Sequence, residues 1–181
     1  MEVTLEITDY CPNACEYCST NASPSKRHML DYNEIATHLI NLEESGKRID
    51  RINISGGEPL AHPEFYRILR LSYNYTDNVW VYTNAIRQLI YNTTILSEVK
   101  VEANVCLVPG KEAYIPKNAD KVHLLQLVPQ GRAKNMKPVE FCASGNIVGD
   151  HVCDRCDHSL LQADGQIMLA PCKKDYGCEN V

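Results

Sequence analysis

The chain lacks any excess of positive charge. Its 18 Lys and Arg stand against 23 Asp and Glu, for a net charge of −5. Bulk electrostatics therefore give no reason to expect a nucleic-acid partner. Lys121, Arg132, Lys134 and Lys137 form one locally basic stretch, which reads as a solvated face before it reads as a contact for an anionic substrate. No apolar run is long enough to cross a bilayer, so no membrane association is expected. The first residues, Met1-Glu2-Val3-Thr4-Leu5-Glu6, carry neither the basic nor the apolar segment of a secretory signal. A cytoplasmic protein is the expectation, and three glycosylation sequons at Asn53, Asn74 and Asn92 then read as accidental. Internal repeats and low-complexity segments are missing too. A length of 181 residues suits one modest domain with a small appendage.

Cysteine, by contrast, is abundant, with nine residues. Where thiols stay reduced, clustered cysteines point to metal rather than to disulfides. Cys11, Cys15 and Cys18 follow the strand-like stretch Val3 to Ile7 at the spacing Cys-x3-Cys-x2-Cys. Three thiolates so spaced can hold three irons of a cubane [4Fe–4S] cluster and leave the fourth iron without a protein ligand. An open coordination position is where metal chemistry happens, whereas closed sites are usually structural. Taken alone, the triplet also fits a zinc knuckle or buried cysteines.

The rest of the chain alternates strand and helix signals. Asp31 with Glu34 forms a capping-box pattern, Ile35, Leu39 and Leu42 follow at helical spacing, and Gly46 supplies a stop. Ile52 to Ser55 reads as a short buried strand ending in Gly56-Gly57. Pro63, Phe65, Ile68 and Leu69 predict a second helix, Val79 to Tyr82 a third strand, and Ile86, Leu89 and Ile90 a third helix. Val99 to Leu107 alternates with strand period, and Val122 to Val128 is the last strand before Pro129 and Gly131. Such alternation predicts a parallel sheet with right-handed crossovers. Lys111 to Asp120 lacks an apolar helical pattern, so the final crossover is expected to be a loop and one wall of the barrel thin.

Ser55-Gly56-Gly57-Glu58-Pro59, one βα unit after the cysteine triplet and its Tyr17, gives the pair its specificity. Together they closely resemble the radical S-adenosylmethionine (SAM) superfamily. The glycines are expected to let backbone approach a ligand. By resemblance, their polar groups and Glu58 meet the amino end of the methionine part of SAM, whose amino and carboxylate groups chelate the open iron. A plain strand-to-helix turn is the alternative. Thr83-Asn84 resembles the family turn near the SAM ribose and methionine, with a helix cap as the alternative. Asn104 is the best match to the polar residue that the family offers on the fourth strand, though the usual Ser-x-Asp pattern is missing. Cys106 is expected to pack in its strand.

The tail carries its own signal. Cys142, Cys153, Cys156, Cys172 and Cys178 crowd the last quarter, and Asp164-Gly165 between apolar runs marks a hairpin turn. Two cysteines before a hairpin and one after it, preceded by Gln130-Gly131-Arg132-Ala133, resemble the auxiliary-cluster extensions called SPASM or twitch. They also resemble the C-terminal cluster site of the molybdenum-cofactor GTP cyclase family. The resemblance implies a second [4Fe–4S] cluster on Cys153, Cys156 and Cys172, with Cys178 the favoured fourth ligand and Cys142 or a substrate atom the alternatives. A zinc ribbon and a redox dithiol remain open for these cysteines.

The expected fold is α/β: a truncated partial TIM-type (β/α) barrel with parallel strands over 1–136, plus a small cysteine-rich C-terminal hairpin domain over 137–181. The resemblance implies reductive cleavage of SAM to a 5′-deoxyadenosyl radical that abstracts hydrogen from a substrate. No side chain stands out as a catalytic acid or base. A peptide or protein segment is the expected substrate, with an electron donor such as flavodoxin or ferredoxin. The alternatives are cofactor or nucleotide chemistry on a small molecule and, from another class, an iron–sulfur electron carrier. The intact Gly56-Gly57-Glu58-Pro59 speaks against a carrier, which needs no SAM pocket.

Overall fold

In the computed structural model, residues 1–84, 102–108, 110–112, 121–126, 131–137 and 158–169 are described. Strand β1 (Glu2–Glu6) is followed by helix α1 (Tyr32–Glu44), strand β2 (Arg51–Ser55), helix α2 (Phe65–Tyr73) and strand β3 (Val79–Val81). Later come β4 (Glu102–Leu107), β5 (Lys121–Gln126), β6 (His158–Leu161) and β7 (Ile167–Leu169).

Helix α1 forms for the reasons its sequence announces. Asp31 accepts from Asn33 N at 2.7 Å, and Glu34 reaches back to Asp31 N at 2.7 Å, which completes the capping box. At the other end Gly46 N donates to Glu43 O and Lys47 N to Leu42 O, with Gly46 at φ 75°. This is a Schellman stop, and only glycine takes that conformation without strain. Helix α2 starts at Phe65, two residues beyond Pro63, after a short 3₁₀ turn at Pro59–Ala61.

The chain divides into two compact units, one built from Met1–Ala14, Ala22–Ile90 and Cys153–Val181, the other from Cys15–Asn21 and Tyr91–Val152. In the first, β1, β2 and β3 pair in parallel, with Glu2 opposite Arg51 and Ile52 opposite Val79. Val3, Leu5 and Ile7 pack with Ile35, Leu39, Ile52, Ile54, Phe65 and Ile68 in one core. Burying this set is the main stabilising term. The opposite sheet face is polar: by strand alternation it presents Glu2, Thr4 and Glu6, then Arg51, Asn53 and Ser55, then Trp80 and Tyr82. In the second unit, β4 and β5 form a separate two-stranded parallel sheet. The architecture is a mixed, mainly parallel α/β sheet consistent with a partial (β/α) barrel.

The hairpin at Asp164-Gly165 forms as its turn residues predict, with β6 and β7 antiparallel and Gly165 at φ 81°. The hairpin joins the sheet of the first unit. Strand β6 pairs in parallel with β1, Glu2 opposite His158 through Leu5 opposite Leu161, and the sheet order is β3-β2-β1-β6-β7. The physical reason is the free edge of β1. Its backbone groups need a partner, and Ser159 and Leu161 bury against the helix side as they supply one. The third-helix segment at Ile86 to Ile90, residues 113–120 of the expected loop, and Cys142, Cys153, Cys156, Cys172 and Cys178 lie outside the described residues.

Candidate functional site

Beyond Glu6 the chain runs straight into the cysteine loop and is held from two sides. Residues 23–30 return along one side: Leu30 N donates to Ile7 O at 3.0 Å, Asp9 N to His28 O at 3.2 Å, and Cys11 N to Ser23 O at 3.2 Å. Thr8, fully buried, gives its hydroxyl to His28 O at 3.0 Å. Asp9 accepts from the His28 backbone N at 2.9 Å and lies 2.7 Å from His28 Nδ1. Along the other side runs the end of β2. Gly57 N donates to Thr8 O at 2.6 Å, and Glu58 N donates to Tyr10 O at 2.8 Å.

This docking explains the glycine pair. A Cβ on Gly56, which sits at φ 123°, would overlap the Thr8 carbonyl oxygen, and one on Gly57 would overlap that of Tyr10. Expected to clear the way for a ligand, the glycines first of all let the β2 turn lie directly on the start of the cysteine loop. Glu58 likewise has its own work inside the protein. It is 1% exposed. Its Oε1 accepts from Leu60 N at 3.0 Å and from Thr83 Oγ1 at 2.7 Å, and its Oε2 accepts from Asn84 N at 2.9 Å. The carboxylate therefore ties the end of β2, with buried Pro59, to the residues after β3. Asn84 then points Nδ2 at Cys11 Sγ, 3.7 Å away. Ser55, the last residue of β2, accepts from Ile7 N at 3.1 Å through its carbonyl.

Cys11 belongs to the first unit, Cys15 and Cys18 to the second. In the second unit Cys18 N donates to Cys15 O at 3.2 Å, and Cys18 Sγ lies 3.4 Å from Thr20 Oγ1. Tyr17 is half-buried between them in sequence. Lys111 pairs with Glu16, and that hydrogen bond holds its ammonium above the usual lysine value. The loop has a clamp that sequence reading missed. Arg132, expected on a solvated face, donates from Nε to Cys15 O at 2.7 Å and from Nη1 to Asn21 Oδ1 at 3.2 Å, while its backbone N donates to Cys18 O at 3.0 Å. A Cβ on the preceding Gly131 would overlap the Cys18 and Ser19 carbonyl oxygens. The glycine next to an arginine was the available signal, but its target lies more than a hundred residues away. Asn104 lies on β4 opposite His123, and its side chain is outside the described residues.

All three loop cysteines are free and half-buried. Among the described residues no group of three or more His, Cys, Asp or Glu side chains is arranged to hold a single metal ion. A cubane cluster asks for something else. Each thiolate bonds its own iron, so the sulfurs need not converge on one centre as zinc ligands do at about 2.3 Å. Cys11 in the first unit has an N–H neighbour and Cys18 in the second an O–H neighbour, and each thiol so placed suits iron–sulfur ligation, where hydrogen bonds to sulfur tune the cluster.

Comparison with known proteins agrees with this chemistry. A 34% identical stretch of 88 residues, 46% of this chain and 29% of the relative, matches the S-adenosylmethionine-dependent nucleotide dehydratase of Selenomonas ruminantium. The PqqA peptide cyclase of Gluconobacter oxydans is 30% identical over 104 residues, 57% of this chain and 26% of that protein. These relatives are enzymes, and the chain spans less than a third of the length of the curated relatives it matches. The crystal structure of BtrN in complex with AdoMet and 2-DOIA shares the fold, with a TM-score of 0.54 at 17% identity over 99% of this chain and 76% of that one. The sequence model of the Radical SAM superfamily, whose domain implies a [4Fe–4S] cluster and SAM, matches residues 5–94. That stretch holds Cys11, Cys15, Cys18, Gly56 to Pro59, Thr83 and Asn84, so these candidate site residues fall within the part of the chain that is similar to that superfamily.

Proposed function

We propose that the chain is a radical SAM enzyme acting on a peptide or protein segment, with Cys11, Cys15 and Cys18 as cluster ligands. The observation that carries this reading is the welding of the glycine turn to the cysteine loop through Gly57 N, Glu58 N and Asn84 Nδ2. A cysteine loop used only for structure has no need of a second motif built into its wall. When bound, a reduced cluster and SAM supply a carbon radical able to take hydrogen from an unactivated C–H bond. The protein's part is to position and to exclude water. Asp9, Thr8 and Arg132 hold the loop; Glu58 fixes Thr83 and Asn84; Tyr17, Ser55, Gly56, Gly57, Pro59 and Asn104 complete the proposed SAM seat. Cys153, Cys156, Cys172 and Cys178 are proposed ligands of a second [4Fe–4S] cluster, and a flavodoxin- or ferredoxin-type protein is the proposed electron donor.

The peptide cyclase relatives support a peptide substrate. The nucleotide dehydratase and GTP 3′,8-cyclase relatives favour a small-molecule substrate as the second reading. Formation of 5′-deoxyadenosine from SAM by the reduced protein tests the enzyme class. Cys15→Ala should abolish it, because one of three thiolates is lost. Native-rate cleavage by Cys15→Ala would defeat the assignment.

A further inference from the structure

Among the described residues, one buried side-chain atom on the polar face of the first sheet has no hydrogen-bond partner. Asn53 lies mid-way along β2, opposite Thr4 on β1 and Trp80 on β3, and is 4% exposed. Its Nδ2 donates to Glu2 Oε1 at 2.5 Å and to Thr4 Oγ1 at 3.2 Å. The carboxylate accepts only, so the NH₂ end of the amide must face Glu2. That leaves Oδ1 buried with no hydrogen bond. Native proteins rarely tolerate such an atom, since its lost hydration is not returned. The same asparagine lines an open pocket of about 270 Å³ whose other walls are Glu2, Thr4, Ser55 and Tyr82.

We infer that this pocket is a recognition subsite in which Asn53 Oδ1 accepts a hydrogen bond from a neutral N–H or O–H group of the substrate. Calling the occupant a substrate rests on the enzyme reading above; the donor chemistry does not. An acceptor with no partner requires a donor. The lining favours a neutral one. Asn53 is uncharged, and Glu2, the one charged residue among the described lining residues, already accepts from Asn53 and lies 3.7 Å from Arg51 Nη1. A phosphate or carboxylate would set bare oxygens against Oδ1 and Glu2. The space is several times the roughly 30 Å³ share of one water in the liquid, enough for a functional group. A peptide amide or a hydroxyl fits this pocket, whereas the phosphates of a nucleotide do not.

The test uses the full chain, reconstituted without oxygen, with ¹⁵N-labelled asparagine side chains. N-methylacetamide serves as the N–H probe, and acetate as a probe of similar size without a donor at neutral pH. N-methylacetamide should shift the Asn53 side-chain resonance saturably and acetate should not. Asn53→Leu, which keeps the shape, should weaken N-methylacetamide binding about tenfold, the worth of one net hydrogen bond. A saturable response to acetate, no saturable response to the amide, or unweakened amide binding by the variant overturns the subsite. The comparison of amide with acetate needs no variant, so it stands even if Asn53→Leu fails to fold. None of these readouts depends on SAM cleavage. A flat titration therefore removes the subsite alone, while absence of 5′-deoxyadenosine removes the enzyme reading alone.

Discussion

Glu58 shows how much of a motif residue's work lies in its hidden partners. Its position after two glycines marks it in the sequence, but the donors it serves come from Leu60, Thr83 and Asn84. Changing Glu58→Gln puts an NH₂ group against one or more of those donors. The variant should lose about 2 kcal/mol of stability, measured by denaturant unfolding. No change in the midpoint would mean that the three bonds are dispensable. Arg132 is the opposite case, a residue whose sequence context suggested a solvated face before a substrate contact and gave no hint of the cysteine loop. Arg132→Ala removes the hydrogen bonds to Cys15 O and Asn21 Oδ1, worth about 1–3 kcal/mol of loop stability. Iron bound after anaerobic reconstitution should fall while the circular dichroism spectrum stays native. Arg132→Lys keeps the charge without the planar fork and should fall between. Native iron content in the alanine variant would show that the clamp does not hold the loop.

At the scale of elements, the join of β6 to β1 and the seat of α1 and α2 depend on neutral histidines. His62 accepts from Glu64 N through Nδ1 at 3.1 Å, and its Nε2 meets Leu30 O at 3.0 Å, an arrangement that only the uncharged ring satisfies. His38 on α1 lies 3.3 Å from Ser159 on β6. Burial holds both imidazoles below their ordinary value of 6.5. The folded state thus disfavours the proton that the unfolded chain takes up near that pH. The stabilisation is complete above pH 6.5 and is lost as pH falls below it toward the depressed folded values. Melting temperature should drop between about pH 8 and about pH 5, and a His38→Gln, His62→Gln variant should show a flatter profile. A wild-type profile as flat as the variant's would refute this origin.

For the whole molecule, the metal content of the tail is the property to measure. The tail's hairpin is part of the main sheet. If the tail cysteines bind a cubane, reconstituted protein should carry about eight irons per chain, and a Cys11/Cys15/Cys18 triple variant about four. One zinc and no iron in the triple variant would make the tail a zinc module.

The sequence alone determined what is local. Capping at Asp31 and Glu34, the stop at Gly46, the apolar faces of α1 and α2, and the turn at Asp164-Gly165 depend on neighbours a few residues away, and the structure repeats them. The cysteine triplet and the glycine turn were legible for the same reason, each being a short run with its own spacing. The tertiary structure decided which backbone each glycine touches, where the oxygens of Glu58 go, that Arg132 grips the cysteine loop, and that β6 completes the edge of β1. Apart from the Glu58 bond to Leu60, those choices pair groups tens to more than a hundred residues apart. Periodicity carries no record of such partners, and only the requirement that buried polar groups and strand edges find one selects them.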